Sequence, residues 1–331
     1  MLFGGHQSHN AVTAPLRSGG GSGGRARPVA GTTARLADAA AMDANEVERR
    51  GAVVADAELN PATFAELAKG EVPLSVEGKV ALKGMRYTEI EQWLTSIGER
   101  PSRAAQLFSW MYRRGKLVDG VQHMEDVAAA FREQLAGMVS LDGDLALEDI
   151  RTATDGTRKV TYRLKNGGGI VESVIIPSNT PDGRTTVCVS SQLGCAMNCQ
   201  FCYTAKMGLR RNLSAAQIVE QVVSARRLTG GGLSPAAAAA AEAAGATRED
   251  LTNVVFMGMG EPLHNIEAVL AAVDILVDPK GLAFSRNKVT VSTSGLVPEM
   301  QRYLNESQGS LAVSLNATTD EIRSWCVNQL A

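Results

Sequence analysis

Three of the five cysteines in this chain lie within eight residues of one another, as Cys195, Cys199 and Cys202. Five unevenly spaced cysteines in 331 residues are too few for a disulfide scaffold, so this group indicates a metal site in a reducing compartment. Thiolates are the ligands of iron–sulfur clusters, and three at these spacings can hold one cubane cluster. A structural zinc site would need a fourth Cys or His nearby, whereas the four histidines are scattered. The spacing favours a [4Fe–4S] cluster, with zinc binding or incidental cysteines as the alternatives.

Strands and helices alternate from residue 185 onwards. Short, Val-rich strands are predicted at 185–190, 253–257, 288–292 and 311–315, with helical stretches between them. The first of these helices begins with a capping box formed by Ser214 and Gln217. The alternation indicates parallel β/α units, so the predicted fold class is α/β, with a partial parallel (β/α) barrel at 185–331. We interpret the low-complexity residues 230–245 as an insertion in one loop.

Three regions are predicted to precede the barrel. We expect residues 1–50 to be a disordered tail, because the first 37 residues contain eight glycines, four arginines and no acidic residue. Residues 80–140 are predicted to form a small helical domain, since apolar residues recur at three- and four-residue steps from Tyr87 to Ile97. Residues 150–184 are predicted to form a short β segment around a turn at Gly167–Gly169.

The composition of the tail is also typical of an organelle transit peptide, which is rich in Arg and poor in acidic residues. We therefore expect import into a plastid or a mitochondrion, with a cytoplasmic location as the alternative. No stretch approaches the about 20 consecutive apolar residues that cross a bilayer, so we expect no transmembrane segment.

The net charge of −2 excludes a globally basic nucleic-acid binder but leaves room for a local basic surface. Between Lys79 and Lys116 the helical domain has eight Lys or Arg against three Asp or Glu. This excess indicates either a solvated helix surface or a contact surface for RNA or DNA, where Lys and Arg neutralise phosphates.

The sequence around the cysteines resembles a known superfamily. The pattern Cys-x3-Cys-x2-Cys, with Phe201 before the last cysteine, is similar to the radical S-adenosylmethionine (SAM) superfamily. Four other motifs occur in the order Cys188-Val-Ser-Ser-Gln-Leu-Gly-Cys195, Gly258-Met-Gly-Glu-Pro262, Ser292-Thr-Ser-Gly295 and Ser314-Leu-Asn316. From about Lys83 to Arg323 the chain resembles the dual-specificity rRNA/tRNA adenine-C2 methyltransferases. The resemblance implies a barrel of radical SAM type and methylation of adenine carbon 2 in 23S-type rRNA, with tRNA as a further candidate.

The resemblance implies two cofactors, a [4Fe–4S] cluster and S-adenosyl-L-methionine, which binds the open iron and is cleaved to a 5′-deoxyadenosyl radical. Cys195, Cys199 and Cys202 match the cluster ligands. The positions that match contacts to S-adenosylmethionine are Phe201, Gly260, Glu261, Ser292, Ser314, Leu315 and Asn316. Without the resemblance, a Gly-rich turn is more often an ordinary loop, and small hydroxyl residues at strand ends more often cap helices.

Two further positions match catalytic residues of the family. Glu172 corresponds to a proton acceptor, and Cys188 to the cysteine that helps to resolve a thioether adduct between protein and RNA. Without the resemblance, Glu172 would be an exposed strand carboxylate and Cys188 a small core residue. The family also uses a methyl-carrying cysteine near its C-terminus. An electron donor for the cluster is implied as a partner, and we expect a monomer that does not associate with membranes.

The end of the sequence departs from the family pattern. Cys326, the only cysteine after the cluster motif, has surroundings unlike those of the methyl-carrying cysteine, and we interpret it as incidental. Residues 185–331 suffice for four strand–helix units where the superfamily usually has six, so the fourth strand is expected to form an open sheet edge. Three hypotheses follow: a radical adenine-C2 methyltransferase, a shortened protein that binds RNA and a cluster without catalysis, and a zinc-binding structural module.

Overall fold

The computed structural model describes residues 72–165, 167–178, 184–230 and 250–327. The expected tail at 1–50 and nearly all of the expected insertion at 230–245 lie outside these residues, so both stay predictions. None of the helices in the described ranges is long and apolar enough to cross a membrane.

Three helices form the N-terminal part of the described chain: α1 at Tyr87–Ser96, α2 at Arg103–Tyr112 and α3 at Ala129–Met138. The ring of Phe108 meets the rings of Tyr87 and Tyr112 edge-on, with centroid distances of 5.5 and 4.7 Å. The three predicted helices are confirmed. An apolar stripe of helical period requires a partner to pack against, and α1 and α2 pack against each other through Tyr87 and Phe108. Two short strands, β1 at Val80–Ala81 and β2 at Val139–Ser140, pair in parallel and bring the ends of this region together.

A seven-stranded sheet forms the centre of the fold. Its antiparallel strands are β3 at Leu145–Thr152, β4 at Arg158–Leu164 and β5 at Ile170–Pro177. Its parallel strands are β6 at Arg184–Cys188, β9 at Asp250–Phe256, β10 at Val289–Thr293 and β11 at Ser310–Val313. The order is β11-β10-β9-β6-β5-β4-β3, which confirms the predicted parallel units and joins the β segment to them through the β5–β6 pair. A separate pair, β7 at Gln192–Leu193 and β8 at Arg211–Asn212, follows β6.

The two edge strands of the sheet, β3 and β11, are largely accessible to solvent. The β segment predicted at 150–184 misses most of β3, whose apolar side chains Leu147 and Ile150 are 51% and 38% exposed. A register shift between Leu147 and Asp149 also interrupts the two-residue alternation. At the other edge, β11 pairs only with β10 within the described chain, so the expected open edge is present.

Four helices accompany the parallel strands: α4 at Ala215–Leu228, α5 at Ile266–Val277, α6 at Val297–Glu306 and α7 at Asp320–Cys326. The predicted capping box begins α4, since Ser214 Oγ accepts from Gln217 N at 3.2 Å and Gln217 Oε1 accepts from Ser214 N at 3.0 Å. Against the helical region, α4 forms a buried ion pair in which Lys83 Nζ donates to Glu220. The apolar residues of α4 and of the helical region belong to one core, and this ion pair is buried beside them.

The carboxyl ends of the four parallel strands lie side by side at one edge of the sheet. Strand β6 ends two residues before its predicted end, because Ser190 leaves the ladder and its N–H donates to Gln221 Oε1 at 2.9 Å. In barrels of parallel strands the functional groups lie at this carboxyl edge.

Candidate functional site

The three cysteines lie between β7 and β8, on residues 194–210, here named the cysteine loop. The antiparallel pairing of β7 with β8 closes the loop at its base. Cys195 N donates to Gly208 O at 3.2 Å. Gly194 has a φ of 77°, and a Cβ there would lie 1.8 Å from Gly208 O, so only glycine fits beside the first cysteine.

The cysteine loop offers three soft sulfur donors. Cys195 is buried, and Cys199 and Cys202 are partly exposed. Burial raises the pKa of the Cys195 and Cys199 thiols, and the charges of neighbouring cysteines act in the same direction. No three Cys, His, Asp or Glu side chains of the described residues are grouped as ligands of one metal ion. Three thiols along one loop fit an iron–sulfur cluster with an open iron better than the four-ligand set of a closed zinc site.

Glu261 lies in the turn after β9 and is only 4% exposed. Its Oε2 accepts from the N–H and the hydroxyl of Ser294, at 2.8 and 2.9 Å, and its Oε1 accepts from Leu263 N at 3.1 Å. A carboxylate offers about four acceptor positions, so about one is left for a ligand's ammonium group. Glu261 therefore joins two neighbouring strand ends and is also a candidate ligand contact.

Gly260 brings the backbone of the same turn close to the base of the cysteine loop. Its φ is 103°, and a Cβ there would lie 2.5 Å from Gln192 Cβ. The buried Gln192 accepts from Glu261 N at 2.8 Å through Oε1 and donates to Asn212 Oδ1 at 2.7 Å through Nε2. This positioning role was not predicted from the sequence, although the motif that ends at Cys195 contains Gln192.

A second buried amide, Gln221 of α4, holds the segment that leads into the cysteine loop. Its Oε1 accepts from Ser173 Oγ at 2.8 Å, and its Nε2 donates to Ser190 O at 2.9 Å. Ser190 Oγ in turn donates to Glu172 O at 2.6 Å. The role of Gln221 was not predicted from the sequence either, where it is visible only as a Gln among the apolar residues of α4.

The two candidate catalytic residues lie on adjacent strands. Cys188, at the end of β6, is opposite Val174 of β5, so Glu172 lies two residues further toward the carboxyl edge. Glu172 Oε1 is 3.1 Å from Lys159 Nζ, and both side chains are partly exposed. Burial raises the pKa of the Cys188 thiol, while a hydrogen bond with the backbone of Met257 lowers it. The structure brings both residues to the site, and their catalytic roles stay predictions.

The remaining predicted cofactor contacts also lie near the carboxyl edge. Ser292 Oγ and Ser314 Oγ, on the neighbouring strand ends of β10 and β11, are 3.3 Å apart. Asn316 Nδ2 donates to Ser314 O at 3.1 Å. Leu315 is 73% exposed, and Phe201 of the cysteine loop is 66% exposed. Hydroxyl and apolar surfaces are therefore both open to a ligand here.

Helix α7 is fastened to the cysteine loop. Gln200 N donates to Cys326 O at 3.0 Å. Val327 is buried with Cys195 and Met197, and Cys326 packs against this group. Cys326, interpreted from the sequence as incidental, is thus a fourth cysteine beside the three of the motif. No spacing indicates this contact, because it joins segments far apart in the chain.

The basic excess of the helical region is largely neutralised. Six of its eight Lys and Arg side chains form ion pairs, which are Lys79–Glu77, Lys83–Glu220, Arg86–Asp274, Arg103–Glu99, Arg114–Asp250 and Lys116–Asp126. Five of these six carboxylates lie outside residues 79–116, so counting along the sequence overestimated the excess. The net positive charge of this region is therefore small, and its contact with a nucleic acid stays a prediction.

Two family models match the chain. Residues 80–141 match the ribosomal RNA large subunit methyltransferase N-terminal domain. Residues 189–329 match the radical SAM superfamily. The first match covers the three-helix region, and the second covers the cysteine loop and the parallel strands that follow it.

Curated relatives match about three quarters of the chain. A dual-specificity RNA methyltransferase RlmN from Syntrophobacter fumaroxidans is 43% identical over 245 residues, covering 74% of this chain and 65% of that protein. A relative of the same name from Geotalea uraniireducens is 42% identical, covering 74% and 64%. The crystal structure of a radical SAM methyltransferase from Sphaerobacter thermophilus aligns with a TM-score of 0.63 at 40% identity, covering 77% of this chain and 67% of that chain. The chain spans 65% or less of the length of these two curated relatives.

Proposed function

Because this chain belongs to the radical SAM superfamily and, within it, to the family of dual-specificity RNA methyltransferases, we propose that it methylates carbon 2 of an adenine in 23S-type rRNA, with tRNA as a second candidate substrate. One observation carries the proposal: three thiols, the buried Glu261 carboxylate and the Ser292–Ser314 hydroxyl pair lie around one edge of the sheet. The cofactors of this reaction are a [4Fe–4S] cluster and S-adenosyl-L-methionine.

Residues of the carboxyl edge fit these cofactors. Cys195, Cys199 and Cys202 would hold the cluster, which supplies the electron that cleaves S-adenosylmethionine. Glu261 keeps about one acceptor position for the ammonium group of S-adenosylmethionine. Ser292 would offer its hydroxyl to the ribose or carboxylate, together with Ser314 and Asn316.

Glu172 would take up the proton that leaves the RNA base. Lys159 Nζ lies 3.1 Å from Glu172 Oε1 and so holds the carboxylate in place on β5. On the adjacent strand, burial raises the pKa of Cys188, so it enters the reaction as a protonated thiol at neutral pH.

The test is an assay of the anaerobically reconstituted chain with reductant, S-adenosylmethionine and an unmodified rRNA fragment. We expect about four iron and four sulfide ions per chain and release of 5′-deoxyadenosine. Formation of 2-methyladenosine, detected by mass spectrometry, would require Cys326, the one cysteine of this sequence after the motif, to carry the methyl group. The variant Glu172→Gln should keep the cluster and bind S-adenosylmethionine but form no 2-methyladenosine. Zinc without labile sulfide in the purified chain would contradict the proposal.

A second candidate function is the binding of RNA and a cluster without catalysis. It is the alternative left open by the surroundings of Cys326, which do not match those of the family's methyl-carrying cysteine. In the same assay, binding of both cofactors and RNA with no 2-methyladenosine would favour this second function.

We also propose import into a plastid or a mitochondrion, action as a monomer, and a separate electron donor. The acid-free, Arg-containing composition of the first 37 residues supports import. A fluorescent fusion of residues 1–50 should enter an organelle, and its retention in the cytosol would contradict this proposal. Sedimentation of the purified chain tests the monomer.

A further inference from the structure

A groove with a volume of about 570 Å³ lies at the base of the cysteine loop. Three arginines line it, Arg163, Arg210 and Arg211, and no Asp or Glu of the described residues does. The glycine turn at 167–169 and apolar side chains, among them Leu193, form the rest of the lining. We name this feature the arginine groove.

The glycine turn is a side-chain-free part of the arginine groove. Its three residues have φ values of 99°, 76° and 100°, a conformation that other residues rarely adopt. A Cβ on Gly169 would lie 2.5 Å from Leu193 Cδ2, and a Cβ on Gly167 would lie 4.0 Å from Arg211 Nη1. The turn therefore lies against the base of the cysteine loop, with a guanidinium beside its exposed backbone.

At Arg163 and Arg210 the arginine groove is accessible to an anionic ligand. Arg210 is exposed and forms no ion pair within the described chain. Arg163 pairs with Glu148, but their side chains are 53% and 34% exposed, and ion pairs exposed to solvent are weak. Guanidinium groups bind phosphate oxygens through two parallel hydrogen bonds, so an incoming phosphate can displace such a partner.

The arginine groove shares one face of the sheet with a candidate catalytic residue. Arg163 of β4 is directly opposite Ile170 of β5, and Ile170 also lines the groove. Side chains two residues apart on a strand point to the same face, so Glu172 follows Ile170 on this face. At the other side of the groove, Leu193 precedes Cys195 by two residues. A strand of RNA in the groove would thus lie next to the site of methyl transfer.

We propose that the arginine groove binds backbone phosphates of the RNA beside the target adenine, an inference that rests on the proposed function. Arg210 has no ion-pair partner within the described chain, whereas six of the eight basic side chains of the helical region have one. Its apolar lining, which includes Leu193 and Met207, suits the adjoining ribose and base.

The test is RNA binding by the reconstituted double variant Arg163→Gln/Arg210→Gln, measured with an rRNA hairpin that contains the target adenine. Each phosphate contact adds about 0.7–0.9 to the slope of log K against log salt, so the slope should fall by about 1.4–1.8 and the affinity on the order of 30-fold at about 0.1 M salt. Arg113→Gln, an exposed arginine of the helical region, is the matched control and should change neither quantity. The affinity for S-adenosylmethionine should stay unchanged in both variants.

Equal RNA binding by the wild-type chain and the double variant would overturn the inference about the arginine groove and would not affect the proposed function. A loss of RNA affinity in Arg113→Gln equal to that in the double variant would indicate an RNA contact in the helical region and would also overturn the inference. The absence of a cluster in the wild-type chain would instead count against the proposed function. Should the double variant unfold, the exposed Arg210→Gln alone should lower the slope by about 0.7–0.9, and an unchanged slope would overturn the inference.

Discussion

Ser294 donates both its backbone N–H and its hydroxyl to one oxygen of Glu261, at 2.8 and 2.9 Å. The carbonyl oxygen of Ser294 accepts in turn from the guanidinium of Arg323 on α7. The orientation of the Glu261 carboxylate is therefore set from the neighbouring strand end, and that strand end is itself held by the last described helix.

Replacing Ser294 with Ala should weaken the binding of S-adenosylmethionine. The variant removes the hydroxyl donor and keeps the backbone donor, and a hydrogen bond to a charged group contributes about 1.5–3 kcal/mol. Because Glu261 then turns more freely, we expect about tenfold weaker affinity, measured by calorimetry on the reconstituted chain. Ser102→Ala, at an exposed position, is the control. An affinity equal to that of the wild type would show that Ser294 does not orient Glu261.

Each of Cys195→Ala, Cys199→Ala and Cys202→Ala should abolish the iron–sulfur chromophore, because two thiolates hold a cubane cluster poorly. Cys326→Ala is the matched control, since Cys326 packs beside the motif but is not part of it. Visible absorbance together with iron analysis measures the outcome. Full cluster content in the three motif variants would exclude them as ligands, and loss of the chromophore in Cys326→Ala would make Cys326 a ligand.

Lys83→Met should destabilise the fold far more than most lysine substitutions. It leaves the Glu220 carboxylate buried, with Arg227 Nη1 at 3.0 Å as its remaining ion-pair partner, and breaking a buried pair costs about 3–5 kcal/mol. The double variant Lys83→Met/Glu220→Leu should recover part of this loss in urea unfolding. Lys79→Met, in an exposed pair with Glu77 at 3.8 Å, should cost less than about 1 kcal/mol. Equal losses for the two lysines would contradict the burial argument.

The thiol of Cys188 should titrate at higher pH in the folded chain than in the unfolded chain, because burial raises its pKa. The thiolate is the reactive form, so alkylation of the Cys188 peptide, followed by mass spectrometry, should require a higher pH in the folded chain without cluster. The stabilising contribution of the neutral thiol is fully present below the unfolded pKa and is lost as the pH rises through the folded pKa. As the pH rises above about 8.5, the ordinary pKa of a thiol, the wild type should therefore lose more stability than Cys188→Ala. Identical alkylation profiles of folded and unfolded chain would refute the shift.

Elements with a regular apolar period could be predicted from the sequence, because that signal is local. The stripe from Tyr87 to Ile97 predicts α1, and the Val-rich runs predict the parallel strands and hence the edge to which the cysteines are brought. The strand β3 could not be predicted in this way, because Leu147 and Ile150 are exposed at the sheet edge and a register shift separates them.

Contacts between distant segments could not be predicted. The carboxylate of Glu220 neutralises Lys83, and the carbonyl of Cys326 binds the cysteine loop, yet in each case the partner lies more than a hundred residues away. The arginine groove likewise needs Arg163 of β4 to lie near Arg210 at the end of the cysteine loop. Such contacts depend on the packing of the whole sheet, which no local spacing encodes.

Strand β6 pairs with β5 in an antiparallel ladder, in which Cys188 is opposite Val174, and with β9 in a parallel ladder. Neither half of the sheet has a free edge at this junction, so separating the halves would break backbone hydrogen bonds in the middle of the molecule. Unfolding should therefore be cooperative across the described chain. Hydrogen exchange should then show the same free energy of opening in β4 and in the strands around the cysteine loop. A substitution that destabilises the antiparallel strands β3, β4 and β5 should also destabilise the cysteine loop.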